Sequence, residues 1–342
     1  MLKGTQRFGE VVVSSVAHVD APHVVTSASI EAELKQTQER LGIEPGLLEG
    51  LAGIKERRFW DEGVQPSEVA SQAGALAIER ARISPDQLGV VINTSVCRDY
   101  IEPSVASFVH NNLKLPSTAL NFDLGNACLG FLNGMALVAG MIERGEIEHG
   151  LIVDGEGSRF AIESTIKRLQ DPKITAKDYR DQFATLTLGS GAAAMVLSKA
   201  GTTDSNHRFI GGMSRAATEH SRLCLGQREE MRTNTKALLM AGLELAETAW
   251  EQACQEFGFR AGVNRHIIHQ VSLVHTTMLC ERLNVSMETV PQIFPHFGNT
   301  GPASIPMVLS NEVQKKALKA GDRICLMGMG SGLNTSFYEL IW

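Results

Sequence analysis

The chain has 342 residues, 43% of them hydrophobic, and a formal net charge of -6 at pH 7. That is enough apolar material for one large core, or for two domains sharing one. The acidic balance and dispersed basic residues argue against nucleic acid as the main partner. The start "MLKGTQRFGEVVV" lacks the apolar region of a signal peptide, and no apolar run reaches the ~18 residues of a membrane span, so a cytoplasmic protein with no transmembrane segment is expected.

In chain order, "VVVSSVAHVDAPHVVT" (11–26) reads as the first strand. "PSEVASQAGALAIERARI" is an amphipathic helix capped at Ser67, followed by the apolar strand "LGVVINTS" (88–95). "LNFDLG" (120–125) is a further strand, leading through "GNACLGFLNGMAL" into a helix, a Gly145-Glu146 turn and the buried strand "HGLIVDGEGS". Residues 155–186 form a charged insertion, and "LTLGSGAAAMVLSKA" closes the first half with a strand. "GTTDSNH" (201–207) is the linker to the second half.

The second half repeats this order. A helix, "NTKALLMAGLELAETAWEQACQEFGF", capped at Asn234 or Thr233, precedes the strand "RHIIHQVS". "GNTGPASIPMVL" begins at Gly298, offset by 298 − 125 = 173 from "GNACLGFLNGMAL" at Gly125. A Gly321-Asp322 turn and the strand "RICLMGMGSG" follow. Strands alternating with helices imply parallel βαβ units. The expectation is an α/β protein with two pseudo-symmetric halves, 1–200 and 201–342, packed as a five-layered α-β-α-β-α core.

Six cysteines stand at 97, 128, 224, 254, 280 and 325, with no CxxC or HExxH pattern, so neither a disulfide framework nor a metal site is expected. Cys128 differs from the others because small residues and a sharp turn surround it at the mouth of a helix. A helix N-terminus lowers a thiol's pKa, which makes Cys128 a candidate nucleophile; the alternative is a buried structural cysteine. His269 ends the strand "HIIHQVS", where side chains face the crevice outside the sheet. It is a candidate base or donor, against a structural strand-end histidine. Asn299 occupies the repeat position that matches Asn126, so a pseudo-twofold axis would let Cys128, His269 and Asn299 converge around an oxyanion. His275 and His296 are the lesser alternatives, the first because it falls within a helix.

With these residues in place, the chain resembles the thiolase superfamily, and within it the ketoacyl synthase III-like condensing enzymes. "NACLGF", "HQVS" and "HFGNTGPASIP" carry the resemblance, with "GIKERRFW", "LTLGSGAAAMVL" and "GMGSGLN". It spans essentially the whole chain. It implies a thiolase-like fold, a homodimer, acyl transfer onto Cys128, and an oxyanion site that uses the backbone N–H groups of Cys128 and Ser331. Arg57 and Arg58 are candidates to pair with CoA phosphates, or a solvated charge pair. Trp60 is a core residue or an adenine stack.

Two departures from synthase III refine the resemblance. Glu102, in "CRDYIEPSVASF", stands where that pattern has an apolar residue; it is either a desolvated base or an exposed loop carboxylate. Val274 stands where a carrier-protein-docking arginine is expected, and Ser272 replaces the asparagine of "HQAN". Both departures resemble the OleA-type enzymes of olefin biosynthesis, which implies condensation of two long-chain acyl-CoA molecules without decarboxylation. Glu102 would then be donated across the dimer interface as the base, with hydrolase, reductase and lactone-forming pathway partners and no cofactor beyond the CoA substrates. The rival readings are a decarboxylating synthase III-type enzyme and an acyl-CoA hydrolase.

Overall fold

Strands that are apolar along their whole length must be covered on both faces. A computed structural model, which describes residues 2–342, covers them with three helical layers. The first half contains β1 (Thr5–Arg7), β2 (Val11–Asp20), β3 (His23–Thr26), α1 (Ser27–Leu41), α2 (Leu47–Gly50), β4 (Glu56–Phe59), α3 (Pro66–Ala81) and β5 (Leu88–Asn93). It continues with α4 (Val105–Asn112), β6 (Leu120–Asp123), α5 (Gly130–Glu143), β7 (His149–Glu156), α6 (Arg159–Leu169), α7 (Ala176–Gln182) and β8 (Gly191–Lys199). The second half contains β9 (Arg208–Ala216), β10 (Cys224–Gly226), β11 (Met231–Thr233), α8 (Thr235–Phe257), β12 (Arg265–Ile268) and α9 (Leu273–Leu283). It ends with α10 (Phe294–Phe297), α11 (Ser304–Gln314), β13 (Arg323–Gly330) and β14 (Asn334–Ile341).

The sheet order displays the repeat. The first half runs β6-β5-β7-β8-β2 and the second β12-β13-β14-β9. In the first, β5 is parallel to β7, while β8 is antiparallel to both β7 and β2. In the second, β12 is parallel to β13, while β14 is antiparallel to both β13 and β9. The second sheet lacks a counterpart of β6, and β1 of the first half joins it beside β9. The two sheets meet at the pair Val12↔Arg208. They are mixed rather than all-parallel, because β8 and β14 return beside the strand that precedes them.

Helix α5 is buried around most of its circumference, as a helix between two sheets must be. Its Phe131, Leu132 and Met135 share a core with Ile305, Val308 and Leu309 of α11 and with strands of both halves. Helix α3 covers the outer face of the first sheet, and α8 and α9 that of the second. These five layers fit the expectation.

Local signals were partly misplaced. Helix α3 is capped by Gln65 in a capping box with Glu68. Ser67 lies one residue inside the helix and donates to Asp99 Oδ2 at 2.5 Å. Asn234 does cap α8, accepting from Ala237 N–H at 3.2 Å. The expected first strand is broken by Ala21-Pro22 into β2 and β3. The insertion begins after Glu156, since β7 extends to that residue; its α6 and α7 pack Ile162, Ile166 and Tyr179 on Ile30 and Leu34 of α1.

Candidate active site

Cys128 sits in the turn between β6 and α5. The residue before it, Ala127, has φ 44°, a left-handed conformation that costs a non-glycine residue energy. Leu129 N–H donates to Asn126 O at 3.0 Å and Gly130 N–H to Ala127 O at 3.1 Å, which closes the turn sharply. A Cβ on Gly130 would stand 2.7 Å from Thr94 O, so only glycine lets the turn seat against β5. The amide of Asn126 is spent on the scaffold, donating to Asn133 Oδ1 at 2.6 Å and accepting from Asn334 Nδ2 at 3.3 Å. The end of β13 lies against the same turn: a Cβ on Gly330 would be 3.4 Å from Cys128 N. Ser331 follows directly.

The thiol's electrostatics overturn the expectation of a lowered pKa. Burial, then the neighbouring Glu156, Cys224 and Asp154, push it up to about 12, against the pull of its own amide. Cys128 precedes α5 by two residues, and desolvation outweighs the helix terminus.

His269 follows β12, and Asn299 follows α10. His269 Nε2 and Asn299 Oδ1 are 3.2 Å apart. Asn299 is gripped by the first half: its N–H donates to Thr187 O and its carbonyl accepts from Gly189 N–H, each at 2.9 Å. A Cβ on Gly189 would fall 1.7 Å from Phe297 O, which explains the glycine in "LTLGSG". Burial pushes the His269 imidazole down to about 4, so the ring is neutral at physiological pH. His275, in the first turn of α9, is also buried and shares a small cavity with His269. His296 is exposed and bonded to Glu56 at 3.2 Å, away from this group.

The other candidates separate. Glu102 is exposed on the loop between β5 and α4, and Ile101 beside it is 96% exposed. Arg57 is a correction. Alternation along β4 turns it fully inward, where it donates to Ser27 Oγ and Leu186 O at 2.9 Å each, so it presents no charge to a phosphate. Arg58 faces the other way, partly exposed, with its guanidinium 5.1 Å from the Phe297 ring. Trp60 is core, donating to Glu156 O at 2.9 Å. Ser272 caps α9 by accepting from His275 N–H at 3.2 Å. No group of three or more His, Cys, Asp or Glu side chains able to hold a metal occurs among the described residues.

Sequence reasoning missed Asp154 and Glu156. Both are buried at the end of β7 and acid-shifted upward, Asp154 well above its ordinary value and Glu156 to about 7, chiefly by burial. Glu156 accepts from Val96 N–H at 2.6 Å, which ties the Glu102 loop to β7. The available signal was two acids at alternate positions in an otherwise apolar strand.

Comparison with known proteins gives a consistent set of relatives. The C-terminal model of 3-oxoacyl-[acyl-carrier-protein] synthase III matches residues 260–338. An acyl-CoA:acyl-CoA alkyltransferase of Xanthomonas campestris is 44% identical, over 98% of this chain and 99% of that one. An enzyme of the same name from Shewanella oneidensis is 34% identical, over 98% of this chain and 100% of that one. A cysteine-to-serine variant of Xanthomonas campestris OleA, solved with bound lauric acid and lauroyl-CoA, is 44% identical. It superposes with a TM-score of 0.96, over 98% of this chain and 100% of that one.

Proposed function

The chain belongs to the synthase III-like condensing enzymes of the thiolase superfamily, alongside the acyl-CoA:acyl-CoA alkyltransferases, and we propose that it joins two long-chain fatty acyl-CoA molecules head to head without decarboxylation. The observation that carries this reading is the hydrogen-bonded His269–Asn299 pair in a chain whose cysteine turn is braced by the Gly330-Ser331 strand end. The 44% identity to an alkyltransferase selects this chemistry among the family's reactions.

Cys128 Sγ attacks the first thioester carbonyl. The thiol is protonated at neutral pH, so its proton leaves as the bond forms and ends on the departing CoA sulfur. The tetrahedral oxyanion is held by the N–H groups of Cys128 and Ser331. The second acyl-CoA places its carbonyl oxygen against His269 Nε2–H and the Asn299 amide. Each donor lowers the enolisation barrier by about 3 kcal/mol, on the scale of other oxyanion donors. The Glu102 carboxylate of a second copy removes the α-proton. The carbanion attacks the acyl group on Cys128 and expels the sulfur, which regains a proton. Hydrolysis of the β-ketoacyl-CoA then yields a β-keto acid for olefin biosynthesis.

The need for a second copy is supported by the loop itself. Val96, Tyr100 and Ile101 are exposed apolar residues around Glu102, and Leu120 is exposed on the free edge strand β6. A homodimer would cover them and bring Glu102 beside the partner's thiol. CoA thioesters are substrates, and these steps need no further cofactor. Of the two arginines, Arg58 is the remaining candidate for a CoA phosphate. A labile β-keto acid calls for pathway partners that consume it. The reading places the enzyme in the cytoplasm, and no described helix is long and apolar enough to cross a membrane.

The test is incubation with one saturated long-chain acyl-CoA and no malonyl donor, followed by mass spectrometry. The β-keto acid, or the symmetrical ketone left by its decarboxylation, is expected. Glu102→Ala should still acylate Cys128 but lose condensation by roughly a hundredfold or more, as loss of a general base does. Turnover only with a malonyl thioester would establish a decarboxylating synthase instead, and free fatty acid alone a hydrolase.

A further inference from the structure

Asn299 Oδ1 accepts from Gly301 N–H at 3.0 Å, which fixes that atom as the amide oxygen. His269 Nε2, 3.2 Å from the same oxygen, can bond it only as a donor, in the tautomer that carries the ring's proton there. A neutral imidazole has one N–H, so Nδ1 is left as a bare acceptor. His269 Nδ1 is buried and makes no hydrogen bond of good geometry, although the Met329 carbonyl stands near the ring. Six residues along, His275 Nδ1 is buried and unpartnered too. Both rings line one cavity of about 10 Å³, with Leu279, Met327, Thr335 and Phe337 also in its wall. That volume is the room one water molecule occupies. Burial pushes both imidazoles down to about 4, so neither is charged at neutral pH.

We propose that one buried water, accepting from His275 Nδ1–H and donating to His269 Nδ1 and Thr335 Oγ1, locks His269 in the tautomer that carries its proton on Nε2. His275 is thereby a positioning residue for the condensation step. Three hydrogen bonds satisfy the water. Thr335 has lone pairs to give, because its own proton goes to Gly328 O at 2.9 Å. The cap supplied by Ser272 fixes the first turn of α9, and with it the place of His275. The device matters because only the Nε2–H tautomer can donate to an enolate oxygen from that nitrogen. The inference rests on the reading of His269 as that donor.

The test uses the full-length enzyme labelled with ¹⁵N at histidine, with the His269 signals assigned by their loss in His269→Gln. Long-range ¹H–¹⁵N spectra distinguish the two tautomers without any turnover. Wild type should show Nε2–H alone. His275→Leu should show both tautomers and lose roughly ten- to a hundredfold in kcat, the usual effect of removing such a supporting bond. Its KM and its acylation of Cys128 should change little. His275→Asn sets an amide N–H near the place of Nδ1 and should recover most of kcat and the single tautomer. Nδ1–H in wild type, donating to the nearby Met329 carbonyl, would overturn the proposal. So would an unchanged tautomer in His275→Leu, or an asparagine variant no better than leucine when both melt within a few degrees of wild type. A single tautomer with no condensation product would instead strike the functional reading and leave the water relay standing.

Discussion

A nucleophile whose pKa is raised leaves a kinetic signature that can be read with a small alkylating agent. The shift of Cys128 from 9.0 to about 12 lowers its thiolate population about a thousandfold at any pH well below 9. The thiolate that does form is more basic, and a Brønsted slope of about 0.4–0.5 returns a factor of roughly 20. The net expectation is alkylation by iodoacetamide about 30–60-fold slower than that of an unperturbed thiol. Its logarithm should climb from pH 6 to pH 10 with no plateau, less steeply near pH 7 where Glu156 ionises and with unit slope above pH 8. Cys128→Ser supplies the background from Cys97 and Cys224. Glu156→Gln removes the largest charged contributor and should speed the reaction, while leaving it slow, because burial is the first cause of the shift. A plateau below pH 8 would refute the reasoning and restore the helix terminus as the dominant influence.

Three further outcomes follow from the same geometry. Arg57→Met strands the Ser27 and Leu186 oxygens and should cost about 2–4 kcal/mol in urea unfolding without raising KM; full stability with a raised KM would mean that Arg57 binds substrate. Gly189→Ala drives a Cβ to within 1.7 Å of Phe297 O and should cost more than about 3 kcal/mol, seen as a lowered Tm. Glu156 has a folded pKa raised from 4.5 to about 7. The stability it contributes is complete below pH 4.5 and is lost as pH rises through 7. Glu156→Gln should therefore gain on wild type between pH 5 and 8, by about 3 kcal/mol at most; a difference in Tm that stays flat with pH would exclude this account.

The residues that carry chemistry were legible where a motif fixed them locally. Cys128 and Asn299 stand in turns whose glycines have steric reasons, His269 ends a strand, and the offset of 173 reappears as one strand order drawn twice. What escaped the sequence was set by distant neighbours. Whether Arg57 or Arg58 faces inward depends on which face of the β3–β4 ribbon is covered, and two adjacent arginines do not say. The direction of the Cys128 shift is set first by burial beneath distant elements, and then by carboxylates 26 and 28 residues away at the end of another strand. His275 was discounted for lying in a helix, yet the first turn of that helix abuts the site.

Asn126 and Asn299 are the same position of one repeated turn, and they have parted ways. One braces its own helix and the neighbouring strand end, and the other meets the imidazole. Such a split is what gene duplication permits: a spare copy keeps the architecture while its twin is freed for reactivity. It also makes the halves obligate companions, because Asn299 is clamped by backbone groups of the opposite repeat, at Thr187 and Gly189. Neither repeat on its own, however well folded, would hold the amide at its working angle.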